Sequence, residues 1–141
     1  MAIAIDEGGP TASDLHPKNK QIIGRRLARL ALGQVYGRKI ETTGPLYQKM
    51  TVEGSTIRLH FSHAGGGLTT TSNQPIKGFA VCGKDGKWVG ADARIDNETV
   101  VVSHKQIHRP MHVRYGWADN PDVNLFNRAG FPAAPFRTDG P

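Results

Sequence analysis

A chain of 141 residues is long enough for one domain with its own core, or for a small domain plus the tail of another, and too short for two full domains. With 38% hydrophobic and 21% charged residues, 17 Gly and 9 Pro, the composition points away from a helical bundle and toward a turn-rich protein made mostly of strands. The formal charge of +6 would permit phosphate binding, but Lys18, Lys20, Arg25, Arg26, Arg29, Arg38 and Lys39 sit in one segment with no base-stacking motif after it, which reads as a solvated helix face and argues against a nucleic-acid partner.

Met1 to Ile5 is apolar for only five residues before Asp6 and Glu7, too short for a signal peptide or a membrane span, so no membrane partner is expected. Within it, Ala2 to Ile5 reads as a strand buried on both faces of a parallel sheet. A turn-rich loop, Asp6 to Ser13, follows. Asp14-Leu15-His16-Pro17 then leads into a helix on which Ile22, Ile23, Leu27, Leu30 and Ala31 recur at helical spacing, ending near Gly33 to Gly37. Gly44-Pro45 marks a break, after which the periodicity becomes alternating, and the domain boundary is placed between residues 40 and 41.

Thr56 to Phe61 is the clearest strand, with Ile57, Leu59 and Phe61 on one face. Gly65 to Gly67 and Thr69 to Asn73 read as a loop too polar for the core. Three more strands are expected over Ile76 to Cys82, Trp88 to Ile95 and Thr99 to Ser103, separated by the turn sequences Lys84-Asp85-Gly86-Lys87 and Asp96-Asn97-Glu98. Val113 and Tyr115 close one further strand. Short strands at this spacing predict a small antiparallel β-sandwich over residues 41–141. From Trp117 to Pro141 there is no periodicity, and Trp117, Phe126, Phe131 and Phe136 are expected to pin the tail by burial. Cys82, the lone cysteine, reads as a small buried apolar residue.

The candidate chemistry lies in Asp14 and His16. They occupy a loop between a predicted buried strand and a helix, the place where active sites form in α/β sheets. A histidine there can take a proton from a serine hydroxyl when a carboxylate holds its other ring nitrogen. The run DLHPKNKQIIGRRLARLALGQVYG resembles the segment around the catalytic histidine of sialate O-acetylesterases, in the SGNH/GDSL hydrolase superfamily. GPLYQKM, GFAVCGKDGKWVGADARI and VRYGWADNPDVNLFNRAGFPAAPFRTD resemble the carboxy-terminal region of that family in the same order.

The resemblance implies an α+β, mainly β chain: residues 1–40 as the last strand, histidine loop and last helix of an SGNH hydrolase domain, and 41–141 as an accessory β-sandwich with an irregular aromatic tail. It implies a serine esterase acting on acetylated carbohydrate such as sialic acid, without a cofactor or metal, in a secreted, periplasmic or lysosomal setting. His16 would be the catalytic base. The superfamily pattern puts the acid three residues before the histidine, where this chain has Ser13, so Asp14, another carboxylate such as Asp6, or no carboxylate at all remain open for that role. No Gly-Asp-Ser block precedes Asp14 and no G-x-S-x-G occurs, so the serine is expected from an upstream SGNH segment, and this chain alone is expected to be inactive.

Two readings compete with this one. The chain could be a non-catalytic carbohydrate-binding or interaction module, and His16 could be a simple capping residue. His104, His108 and His112 share one parity and His60 and His63 are close, but Pro110 interrupts the first run and no His-Glu-x-x-His motif exists, so no metal site is expected. Trp88, Tyr115 and Trp117 could form a sugar-stacking platform, although burial is the default expectation for such residues.

Overall fold

The computed structural model describes residues 1–8, 16–17 and 19–140. Where a buried strand was expected over Ala2 to Ile5, the chain instead runs irregularly into a 3-10 turn, Ile5–Glu7. The named strands all pair antiparallel, so among the described residues this apolar run has no parallel neighbour to take up its backbone groups. Side-chain contacts hold it. Ile5 lies against Gly116, where φ is +59° and an added Cβ would stand 2.9 Å from Ile5 Cδ1.

Helix α1 spans Lys20–Gln34. The Asn19 side chain caps it, accepting from the Ile22 N–H at 3.3 Å, and Gly37 at φ +66° turns the chain away after its last turn. Its faces differ from the expected pattern. Arg26 and Leu30 are the buried residues, while Leu27 is 54% exposed and Leu32 is also exposed. Arg25 and Arg29 stay in solvent as expected, but Arg26 is drawn inward by a carboxylate, so the basic residues do not form a single solvated face.

The strands are β1 Leu46–Glu53, β2 Thr56–Ser62, β3 Leu68–Thr70, β4 Phe79–Cys82, β5 Trp88–Gly90, β6 Asp92–Asp96, β7 Thr99–Ser103, β8 His112–Tyr115, β9 Leu125–Asn127 and β10 Phe136–Arg137. They build two four-stranded sheets, ordered β1-β2-β7-β6 and β10-β8-β4-β5, with β3 and β9 as a separate pair. Alternation puts Ile57, Leu59, Val100 and Val102 of the first sheet on the inner face. Opposite them in the same core lie Phe79, Val81, Val113, Tyr115 and Phe136 of the second. The fold is therefore mainly β, with one α-helix among the described residues, a sandwich whose two inner faces share one apolar core.

Both predicted turns join antiparallel neighbours, with Gly86 at φ +69° and Asn97 at φ +56° supplying the left-handed residue each needs. Several strands differ from the prediction: Ile76 to Cys82 is a strand only from Phe79, and β9 and β10 lie in the tail where none was expected. Trp88 to Ile95 is two strands, because the chain leaves the second sheet at Gly90 and enters the first at Asp92. Leu46–Glu53 is an edge strand that alternation did not reveal. Leu68–Thr70, whose Thr69 and Thr70 were expected in a polar loop, pairs with Leu125–Asn127 and buries Leu68.

The tail is anchored largely as expected. Phe131 and Phe136 are buried, and the chain passes so close to residue 44 that a Cβ there would lie 1.9 Å from the Pro132 carbonyl oxygen, which only glycine avoids. Two of the four aromatics depart from the expectation: Phe126 is only half-buried and Trp117 is 51% exposed. Cys82 is buried, and burial pushes its thiol pKa upward.

Candidate functional site

His16 is exposed, at a bend three residues ahead of the capping Asn19, so its ring is open to approach from solvent. The α1 cap is made by Asn19, which leaves the imidazole without that structural task. Asp14, the candidate acid, lies outside the described residues, as does Ser13.

Asp6, the alternative acid, is committed elsewhere. Its two carboxylate oxygens accept from Arg26 Nη1 at 2.7 Å and Nη2 at 2.6 Å, and Arg26 Nη1 also donates to the Ile3 carbonyl oxygen at 2.8 Å. The Arg26 and Asp6 side chains are only 4% and 9% exposed. A buried charge is tolerated when its partner meets it in bidentate geometry, and that constraint ties the segment before the histidine loop to the helix after it. This pair replaces the solvated role expected for Arg26 and engages both carboxylate oxygens of Asp6.

Ile5, Asp6 and Gly8 form one wall of a cleft of about 280 Å³, and Asn120, Pro121 and Val123 form the other. The last described residues before the histidine loop thus face the tail of the sandwich. Beyond Asn120–Asp122 lies a second groove, of about 350 Å³, lined by Trp88, Arg114 and Trp117. The loop 120–122 is a wall common to both.

The residues around that groove were only partly legible. Tyr115 is fully buried, as expected, with its hydroxyl accepting from the Leu125 N–H at 3.2 Å and its pKa pushed up by burial. Trp88 is half-buried with the Arg114 guanidinium 4.0 Å from its ring centre. Asp139, absent from the sequence-based candidates, accepts from both Arg114 and Arg137, and its hydrogen bonds with Arg114 hold its carboxyl well below the usual range.

The remaining histidines are spread over separate elements. His63 Nδ1 lies 2.9 Å from the Glu41 carboxylate, His112 Nδ1 3.2 Å from the Thr138 carbonyl oxygen, and His104 Nδ1 accepts from the Gln106 N–H. Among the described residues no three His, Cys, Asp or Glu side chains converge as metal ligands would.

A solved structure shares this architecture. The chain is similar to the crystal structure of XAC1771, a novel carbohydrate acetylesterase from Xanthomonas citri, with 38% identity and a TM-score of 0.91 over 98% of the chain. It spans only 32% of that protein. No protein-family model matches the chain, and no curated protein matches it.

Proposed function

We propose that this chain is the carboxy-terminal part of a carbohydrate O-acetylesterase and supplies the catalytic histidine to a serine carried on another polypeptide segment. The observation that carries the reading is the similarity to about a third of a carbohydrate acetylesterase over nearly all of this chain, which supports a carbohydrate-esterase-related function. The exposed ring of His16, and the motif resemblance around it, supply the role. Sialate esters are the finer substrate assignment, resting on that resemblance alone.

In the proposed mechanism, His16 accepts the proton of the serine hydroxyl as its oxygen attacks the acetyl carbonyl. The tetrahedral intermediate collapses when the imidazolium returns that proton to the departing sugar oxygen. Water, deprotonated by the same ring, then attacks the acetyl-serine, and acetate and free serine result. Asp14 is the residue proposed to hold the second ring nitrogen and stabilise the imidazolium.

The division at residues 40 and 41 fits the same proposal. Leu27, Leu32, Val35 and Tyr36 are exposed along and just beyond α1, an apolar surface suited to packing against the rest of a hydrolase domain. The test combines this chain with the part of XAC1771 outside the matched region and follows p-nitrophenyl acetate hydrolysis. Activity should need both parts, and His16→Ala should lower kcat at least about a hundredfold. Activity indifferent to His16 would overturn the assignment.

A further inference from the structure

The two tryptophans of the chain, Trp88 and Trp117, line one groove on the outer side of the second sheet, where Arg114 points away from the core between inward-facing Val113 and Tyr115. One carboxylate organises both rings. Asp139 accepts from Arg114 Nε at 3.1 Å and from Arg137 Nε at 3.2 Å through Oδ1, while Oδ2 meets Nη2 of each arginine. Arg114 in turn sits 4.0 Å from the Trp88 ring centre, and Arg137 lies 5.5 Å from that of Trp117. A single acid therefore fixes two guanidinium groups, each set against a tryptophan, and the two rings border the same space.

We propose that this groove is a saccharide-binding site, which takes a pyranose unit with its C–H face on tryptophan and its hydroxyls toward Arg114, Asp122 and the loop 120–122. This deepens the carbohydrate reading above and rests on it for the class of ligand. Of the other tail aromatics, Phe131 and Phe136 are buried and Phe126 is half-buried, whereas Trp117 is 51% exposed, so its ring does not serve the core. At about 350 Å³ the groove lies at the small end of the range for ligand clefts. Asp119 beside Trp117 disfavours a phosphate-bearing ligand, whereas the charge of Asp122 on the wall is offset by Lys77 Nζ at 2.8 Å, and a polar rim of this kind disfavours a purely apolar ligand. Arg114 uses Nε and Nη2 on Asp139, so Nη1 is not consumed by that pair. The loop 120–122 also walls the cleft lined by Ile5, Asp6 and Gly8, so a sugar held here would sit across that loop from Asp6.

Intrinsic fluorescence reports on this site directly, since both tryptophans belong to it. The 141-residue chain is titrated with partially acetylated xylo-oligosaccharides, the corresponding deacetylated oligosaccharides and sialyllactose, with calorimetry in parallel. Saturable binding of at least one saccharide is expected, and Trp117→Ala should weaken it by about tenfold or more with the melting temperature unchanged. Asp139→Asn should weaken it as well, through loss of ring positioning, while Tyr36→Ala, an exposed aromatic outside the groove, should leave it intact. No saturable binding of any probe, or binding indifferent to Trp117, would overturn the proposal. Its failure is separable from failure of the esterase assignment: p-nitrophenyl acetate carries no sugar, so its hydrolysis tests His16 without the groove, and saccharide binding tests the groove without His16.

Discussion

Helix α1 and strand β7 show two ways in which the same chain treats apolar residues. Five residues of β7 bury Val100, Val101 and Val102, whereas the fifteen residues of α1 bury only Arg26 and Leu30 and leave Leu27 and Leu32 exposed. The sandwich closes its core with its own strands. The helix is held at a few points, by the Asp6–Arg26 pair, by the Arg29 bond to the Glu41 carbonyl oxygen, and by Arg29 set 5.4 Å from the Phe131 ring centre. Polar anchors of this kind fix position without hiding apolar surface, as the proposal that α1 packs against a further hydrolase segment requires.

The contrast can be tested by substitution. Leu59→Ala removes a fully buried side chain from the middle of the sandwich and should cost about 2–5 kcal/mol in denaturant unfolding. A much smaller loss would mean that the two sheets are not closely packed.

Acid should act next, at the rim of the sheets. Glu53 and Asp96 are held below their usual pKa by hydrogen bonds with Arg58, and Asp139 by those with Arg114. A depressed folded-state value means that the unfolded chain binds protons first as pH falls. The stabilisation is thus complete above the ordinary carboxylate range near pH 4 and is lost as pH drops through the lower folded values. Asp139→Asn should flatten the acid limb of a stability-against-pH curve, and an unchanged limb would place the sensitivity elsewhere. These pairs are partly exposed, so the effect should shrink in high salt.

The smallest effect is expected on the helix. Leu27→Ala should change stability by less than about 0.5 kcal/mol, because the side chain is already 54% exposed. Amides of α1 should also exchange faster than those of β2 and β7 in the isolated chain. Uniform protection would show that the helix is as fully integrated as the strands and would remove the case for a missing neighbour.

Strands whose pattern was local could be read from the sequence; those defined by distant partners or irregular backbone could not. Ile57, Leu59 and Phe61 alternate cleanly, and β2 appears where expected. In β1, Tyr47 and Met50 both pack on the core although three positions apart, because a bulge between Tyr47 and Lys49 resets the alternation. The pairing of β3 with β9 joins segments more than fifty residues apart in sequence, and no local signal announces it. Asn127 is likewise a polar residue that the fold buries completely. Its side chain donates to the Thr43 and His63 carbonyl oxygens and accepts from the Phe131 N–H, and those bonds tie the tail to the start of the sandwich.

At the candidate site, the exposure of His16 is compatible with the motif around it, while the engagement of Asp6 was hidden because its partner Arg26 lies twenty residues away. The Asp139 network leaves no local trace for a similar reason: each of its members looks like an ordinary surface charge until the sheet brings Arg114 beside Trp88. A lone acid after two arginines is not a recognisable motif, and an exposed tryptophan cannot be told from a buried one by sequence alone.

The central claim is that the imidazole of His16 activates a serine on another segment. Fluorophosphonate labelling of the XAC1771 segment outside the matched region tests it at the nucleophile itself. The account predicts rapid labelling of a serine in that segment when the wild-type chain is present, and slow labelling with the His16→Ala chain even when a pull-down shows equal association. Equal labelling rates with the two chains would contradict it.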